Sequence, residues 1–152
     1  MSLSEPILNG EVVVFGKEDD FRGKEKWPED FYGSKVGLNT GYDLAAMGGA
    51  TFASACKNGK IVLHEAYTTE ANLRRLQGDK IQFFLNVGET DVSSYTSVRR
   101  KPVINKGEGY VGFTRTEGDS PFLPKFKAEF NTQVKSMKAS GEIEKMAEEY
   151  WK

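Results

Sequence analysis

The sequence predicts an α/β fold: a three-layer sandwich in which helices cover both faces of a mostly parallel sheet. Short β-branched runs alternate along the chain with helical patterns, which is typical of strand–helix–strand units. The chain has 152 residues, of which 38% are hydrophobic and ten are phenylalanine, enough for one domain-sized core. In such sheets, ligands bind beyond the carboxyl ends of the strands, where helices begin.

The chain is predicted to open with two strands on either side of a charged loop. Residues 11–16 and 35–39 are short apolar runs of the kind found in strands. Residues 17–34 between them are charged and punctuated by Gly and Pro, which predicts a surface loop with one short turn at Pro28–Phe31.

A helix and a third strand are predicted next. Residues 43–56 have a helical pattern with Asp43 at the N-cap, although Gly48 and Gly49 each disfavour a helix by about 1 kcal/mol relative to alanine. Tight packing against a neighbouring element would explain these glycines. Residues 60–67 form the third β-branched run.

The middle of the chain continues the alternation. Thr69 is predicted to cap a helix that ends at Gly78, and residues 80–87 predict the fourth strand. Residues 91–101 are predicted as a short helix stopped by Pro102.

The C-terminal part is predicted as a fifth strand at residues 109–114 and a long helix at residues 120–139. Ser120 caps this helix, Pro121 occupies its first position, and Gly141 ends it before a last amphipathic turn or two. The helix repeats large apolar side chains at helical spacing, namely Phe122, Phe126, Phe130, Val134 and Met137.

The composition argues against several classes of function. Twenty-one basic and 22 acidic residues give a formal net charge of −1, so no overall field attracts nucleic acid or an anionic membrane. The single cysteine, Cys56, excludes an internal disulfide, and the single histidine, His64, belongs to no Cys/His cluster in the sequence. No run approaches the roughly 20 apolar residues of a membrane span, and the N-terminus lacks the pattern of a signal peptide. No cofactor is predicted.

The bend at residues 39–43, with the sequence NTGYD, is the first candidate binding site. A helix start presents unpaired backbone N–H groups and a partial positive charge. Gly41 allows a ligand to approach the backbone closely, so the bend suits a carboxylate, phosphate or sulfate. An ordinary strand-to-helix turn is the alternative interpretation.

Four segments of the sequence resemble one protein family. They are SEPILNGEVVVFGKEDDF, FYGSKVGLNTGYD, YTTEANLRRLQGDKIQFFL and the C-terminal run from GYVGF to MKASGEIEKMAEEYW. Their order and spacing resemble the extracellular solute-binding protein family 3, the two-lobed receptors of amino-acid ABC transporters. The resemblance implies a periplasmic binding protein type II-like lobe and a periplasmic or extracellular location.

The resemblance also implies a division of the chain. Residues 1–105 would form the second lobe, and residues 106–152 would be the segment that returns to the first lobe in a full-length member. The full-length protein would have an ABC permease as its partner. If the first lobe is absent, the Phe stripe would face water, so we expect self-association through residues 106–152, with exchange of that segment as one route.

In the family, backbone N–H groups at the start of the first helix of the second lobe bind the carboxylate of the ligand. Those positions here are Gly41, Tyr42 and Asp43, where the bulkier Tyr42 replaces the usual Thr or Ser. The family often carries an Asp after the fourth strand to bind the ammonium of the ligand. That position falls at Asn86 or the uncharged residue after it, and Glu89 is close enough in sequence to substitute.

The next strand-to-helix junction supplies Tyr67, Thr68 and Thr69 as further candidates for lining the site. The alternative for Thr69 is that it only caps the helix.

The resemblance favours a non-catalytic module that binds an amino acid, a carboxylate or another small polar solute. One alternative is a sensory or ligand-input domain of a signalling protein. The other is a dehydratase-like enzyme on the same fold, although the sequence has no obvious paired acid and base.

Overall fold

The computed structural model of the chain describes residues 2–113 and 121–150, without the side chains of residues 102–107. The strands are β1 (Ser2–Leu3), β2 (Leu8–Lys17), β3 (Lys35–Asn39), β4 (Val62–Ala66), β5 (Phe83–Val87), β6 (Val98–Gly109) and β7 (Gly112–Phe113). The helices are α1 (Leu44–Gly48), α2 (Ala50–Lys57), α3 (Thr69–Gln77), α4 (Leu123–Ser140) and α5 (Glu142–Tyr150).

The chain divides into two compact units. The central unit is Glu11–Gly107, and the terminal unit combines Met1–Gly10 with Glu108–Lys152. The first ten residues therefore group with the C-terminal part of the chain. The assignment of residues 1–105 and 106–152 to two lobes of a longer protein stays a prediction.

A five-stranded sheet organises the fold, in the order β4-β3-β5-β2-β6. Strand β3 pairs in parallel with both β4 and β5, whereas β2 pairs antiparallel with β5. The sheet is therefore mixed, and the predicted α/β sandwich is confirmed, with β2 as an antiparallel exception.

Apolar side chains cover both faces of this sheet because successive strand residues point to opposite sides. On β2, Val12 and Val14 belong to one buried cluster, and Val13 and Phe15 belong to the other. The first cluster contains residues from α2 and the second contains residues from α3, which gives three layers.

The predicted surface loop at residues 17–34 contributes to the core. Two short 3₁₀ helices, Asp19–Phe21 and Glu29–Phe31, each place a buried phenylalanine in the first cluster. The second of them confirms the predicted turn at Pro28–Phe31. This contribution to the core could not be predicted from the sequence, because charged residues surround the two phenylalanines.

The predicted helix at residues 91–101 is wrong. Turns lead into β6, which begins at Val98 and runs through Pro102. Strand β6 is an edge strand, and an edge strand tolerates proline because one side needs no backbone donor.

The predicted helix at residues 43–56 is divided into α1 and α2. Gly49 separates them at a φ of +89°, a conformation that side-chain-bearing residues rarely adopt. Asp43 is confirmed as an N-cap, since its carboxylate accepts a hydrogen bond of 2.7 Å from the N–H of Ala46.

The fifth predicted strand, residues 109–114, is divided: Gly109 is the last residue of β6, and Gly112–Phe113 forms the separate strand β7. Gly112–Phe113 pairs antiparallel with Ser2–Leu3 in a separate two-stranded sheet, and residue 114 lies outside the described residues. The backbone of β7 is therefore hydrogen-bonded to the N-terminal strand β1 and not to a strand of the main sheet.

The long C-terminal helix is confirmed with a shifted start. Helix α4 begins at Leu123 with Pro124 in its first turn, and Gly141 ends it in the left-handed conformation. Pro121 precedes the helix, and the predicted cap Ser120 lies outside the described residues. The last segment forms the complete nine-residue helix α5.

Candidate functional site

Three polar side chains meet at the edge of the sheet where β3 and β5 end. The β3–β5 register pairs Val36 with Phe83, which places Asn39 level with Asn86. Asn39 Nδ2 donates to Thr69 Oγ1 at 2.9 Å, and Asn86 Nδ2 donates to the same oxygen at 3.2 Å. Thr69 is the first residue of α3, so the cluster joins two strand ends to one helix start.

A fourth polar side chain lies behind these three. Asn72 Nδ2 donates to Asn39 Oδ1 at 2.9 Å, and the Asn72 side chain is fully buried between α3 and the sheet. Gly37 makes this approach possible, because a Cβ there would stand 2.8 Å from Asn72 Oδ1. We call Asn39, Thr69, Asn72 and Asn86 the amide cluster.

The three asparagines of the amide cluster are buried, Thr69 is half-buried, and the cluster has unused hydrogen-bonding capacity. Within the described part of the chain, Asn72 Oδ1 and Asn86 Oδ1 have no hydrogen-bond partner. Asn86 is only 3% exposed. A buried polar atom without a partner costs about 1–3 kcal/mol, so the cluster gains stability from a water or another hydrogen-bond donor that reaches these oxygens.

The start of α3 adds backbone donors beside the cluster. Thr68, not Thr69, is the N-cap: Thr68 Oγ1 accepts from the N–H of Ala71 at 3.1 Å. The prediction that Thr69 caps the helix is therefore wrong, and its hydroxyl is available for the asparagines. The N–H groups of Thr69 and Glu70 have no partner within the helix, because the first turn of any helix leaves them over.

The bend after β3 is a hydrogen-bonded turn with free space beside Gly41. Gly41 has a φ of +88°, and no atom lies within 4 Å of the position that a Cβ would take. The N–H of Tyr42 donates to the carbonyl of Asn39 at 3.2 Å, which leaves Gly41 and Asp43 as the candidate amide donors. Helix α1 has five residues, so its dipole is small and α3 supplies the stronger field.

Of the predicted site residues, only Thr69 and Asn86 belong to the amide cluster, and Tyr67 and Glu89 are exposed. Tyr67 is 90% exposed at the end of β4. Glu89 is exposed in the turn after β5. No hydrogen bond or ion pair in the described part of the chain links either side chain to the cluster, so their roles stay predictions.

The other candidate reactive groups lack partners for chemistry. Burial raises the pKa of the Cys56 thiol, which disfavours the reactive thiolate. His64 lies on β4 opposite Gly37. Among the described residues, no group of three or more His, Cys, Asp or Glu side chains could hold a metal ion, and no helix is long and apolar enough to cross a membrane.

Sequence reasoning placed Asn39 only within the bend at residues 39–43, without a side-chain role, and missed Asn72. Both break an apolar pattern: Asn39 ends the strand KVGLN, and Asn72 stands beside Leu73 on the stripe of α3 that faces the sheet. A polar residue at a core position requires a hydrogen-bond partner. An asparagine within an apolar pattern therefore indicates a buried polar contact.

The chain is similar in fold to several solved proteins. It matches a mutant arginine-binding protein from T. maritima with a TM-score of 0.72 and 16% identity, covering 99% of this chain and 61% of that one. It matches the GluR0 ligand-binding core in complex with L-glutamate with a TM-score of 0.72 and 12% identity, covering 99% and 64%. The ancestral amino acid-binding protein AncCDT-1, a precursor of cyclohexadienyl dehydratase, gives a TM-score of 0.68 and 18% identity, covering 99% and 62%.

These matches confirm the periplasmic binding protein type II-like fold. The chain spans less than two thirds of the length of these structures. No family model matches the chain, and no curated protein matches it either.

Proposed function

We propose that this chain is a solute-binding module that holds a small carboxylate-bearing solute at the edge of the sheet where β3 and β5 end. The observation that carries the proposal is the Thr69 hydroxyl in the amide cluster at the start of α3: its oxygen accepts from both Asn39 and Asn86, so its O–H remains to donate to a carboxylate. The fold supports it, since the matched structures include arginine- and amino acid-binding proteins.

The electrostatics of this edge favour an anionic group. The partial positive charge at the start of α3 and the backbone N–H groups of Thr69 and Glu70 suit a carboxylate. The free space beside Gly41 supplies a further approach to the backbone.

The same edge disfavours an ammonium group. Asn86 is one of the two positions at which the aspartate of the resembling family falls, and its side chain is uncharged. Asn86 Nδ2 donates to Thr69, and Asn86 Oδ1 can accept from a neutral donor such as a hydroxyl but supplies no charge to an ammonium. A buried ammonium without a carboxylate partner is costly. The preferred solute therefore carries a carboxylate and polar groups but lacks an α-ammonium.

The test compares glutarate with L-glutamate, which differ by one ammonium group. We expect the chain to bind glutarate at least tenfold more tightly than L-glutamate in a calorimetric titration. The Asn86→Asp variant should reverse that preference, because the new carboxylate repels an anion and pairs with an ammonium. Equal affinity for both solutes in both proteins would contradict the proposal.

Glu89→Gln is the matched control. It removes the carboxylate that the sequence analysis gave as a substitute partner for an ammonium. Glu89 is exposed rather than buried. Little change in the preference for glutarate is expected. If Glu89→Gln lost L-glutamate binding and Asn86→Asp did not change it, the ammonium site would be assigned to Glu89.

The wider role follows from the same proposal. An ABC-type uptake system with a permease partner and a periplasmic or extracellular location is the setting that the fold favours. A ligand-input domain of a signalling protein is the second candidate, supported by the match to the GluR0 ligand-binding core. A permease gene beside the coding sequence would favour transport, and a kinase domain in the same reading frame would favour sensing.

A further inference from the structure

The terminal unit has few buried apolar residues of its own. Both core clusters consist of residues from the central unit. Among the described residues of the terminal unit, the buried apolar side chains are Phe113, Val134 and Ile143. Several large apolar side chains of this unit are exposed instead, namely Leu3, Leu8, Tyr110, Val111, Phe122, Phe126, Met146 and Tyr150.

An apolar groove of about 420 Å³ crosses this unit between α4, α5 and the start of β2. Val134 and Met137 of α4 form one wall, Ile143 and Met146 of α5 form the other, and Leu8 closes one side. Met146 is 58% exposed. Apolar surface of this kind marks an association site more often than a scattered exposed leucine does.

The same unit also carries an apolar projection. Phe122 and Phe126 lie at the start of α4 and are 64% and 48% exposed. Phe126 packs on Phe113 and Phe130, with ring centroids 6.2 and 6.1 Å apart. Phe122, Phe126, Phe130 and Val134 recur every four residues along one face of α4. The first two project at the start of the helix, and the last two line the groove.

The charges around these two features are opposite. Lys125 and Lys127 flank Phe126 in the sequence of α4. Lys125 Nζ lies 3.8 Å from Glu129 Oε1 of the same helix, so Lys127 is the lysine of this pair without a carboxylate near it among the ion pairs of the described residues. Helix α5 contains four glutamates and one lysine. Glu142, Met146 and Glu149 follow one another at helical spacing, which places the two carboxylates beside Met146 at the edge of the groove.

We propose that the partner for this face is a second copy of the chain, bound with the two α4 helices antiparallel. A two-fold axis then places Phe122 and Phe126 of each copy over the groove of the other, and brings Lys125 and Lys127 toward the glutamates of α5. Such an interface is self-complementary, as closed dimers require, and apolar burial at its centre with charge pairs at its rim is typical of protein interfaces.

The first test is sedimentation of the 152-residue chain over a range of concentrations. We expect a monomer–dimer equilibrium that the Met146→Lys variant weakens at least tenfold, because a lysine would enter an apolar interface. Val62→Lys is the matched control: Val62 is 45% exposed on the edge strand β4, outside the groove, so its dimer should persist.

The second test exchanges the charges. The Lys125→Glu/Lys127→Glu and Glu142→Lys/Glu149→Lys variants should each dimerise at least tenfold more weakly than the original chain. Mixed in equal amounts, they should form a heterodimer, because each basic surface again meets an acidic one. A monomer at every concentration, a larger assembly, equal loss in Met146→Lys and Val62→Lys, or no heterodimer on mixing would overturn the proposal.

Discussion

The Phe83→Ala variant should lose about 3–5 kcal/mol in free energy of unfolding, the usual cost of removing a buried phenylalanine. Phe83 is fully buried on β5. Its ring lies 5.2 Å from that of Phe21 and 4.7 Å from that of Phe31, so its loss would loosen both 3₁₀ helices that cover this face. Urea denaturation followed by circular dichroism measures the change.

Tyr67→Ala is the control for this variant. Tyr67 is also aromatic and belongs to the central unit, but it is 90% exposed, and surface substitutions usually change stability by about 0.5 kcal/mol or less. A similar loss in both variants would contradict the assignment of Phe83 to the core.

The second large effect is expected at Gly37, where the Asn72 side chain of α3 packs against β3. The Gly37→Ala variant should lose about 1–3 kcal/mol in free energy of unfolding, because extra atoms in a packed core force shifts. The new Cβ would lie 2.5 Å from Ile81 Cδ1 and 2.8 Å from Asn72 Oδ1. The variant should also weaken solute binding, since Asn72 holds Asn39 within the amide cluster.

Gly109→Ala supplies the comparison for Gly37→Ala. Gly109 is likewise a strand glycine, but the nearest atom to its added Cβ would be at the ordinary contact distance of 3.6 Å. Its unfolding and binding should change little. Unchanged stability of Gly37→Ala in the same urea experiment would show that α3 has room to move away from β3.

Much of the central fold could be predicted from local patterns. The apolar run at residues 35–39 coincides with β3, and Gly78 ends α3 as expected. These elements are specified by nearby residues alone. The edge strand β6 could not be predicted in the same way, because its pairing partner is distant in sequence and Pro102 resembles a helix stop.

The candidate site was predictable only in part, and the reason is tertiary. The sequence indicated Thr69 and Asn86 as site residues, and the fold brings their side chains within hydrogen-bonding distance. It did not indicate that Asn39 and Asn72 complete the cluster, because that depends on the β3–β5 register and on the close approach at Gly37. Local sequence also could not show that Thr68 caps α3 while the Thr69 hydroxyl accepts hydrogen bonds from two asparagines.

The most direct test of the account is a nuclear magnetic resonance titration of the chain with glutarate. We expect saturable shifts in the backbone amide resonances of Gly41, Thr69 and Glu70 and in the side-chain amide of Asn86, with smaller changes elsewhere. Such a pattern would locate an anionic solute at the edge where β3 and β5 end. Shifts that are absent, or that centre on a distant surface such as the pocket beside Tyr32 and Lys60, would contradict it.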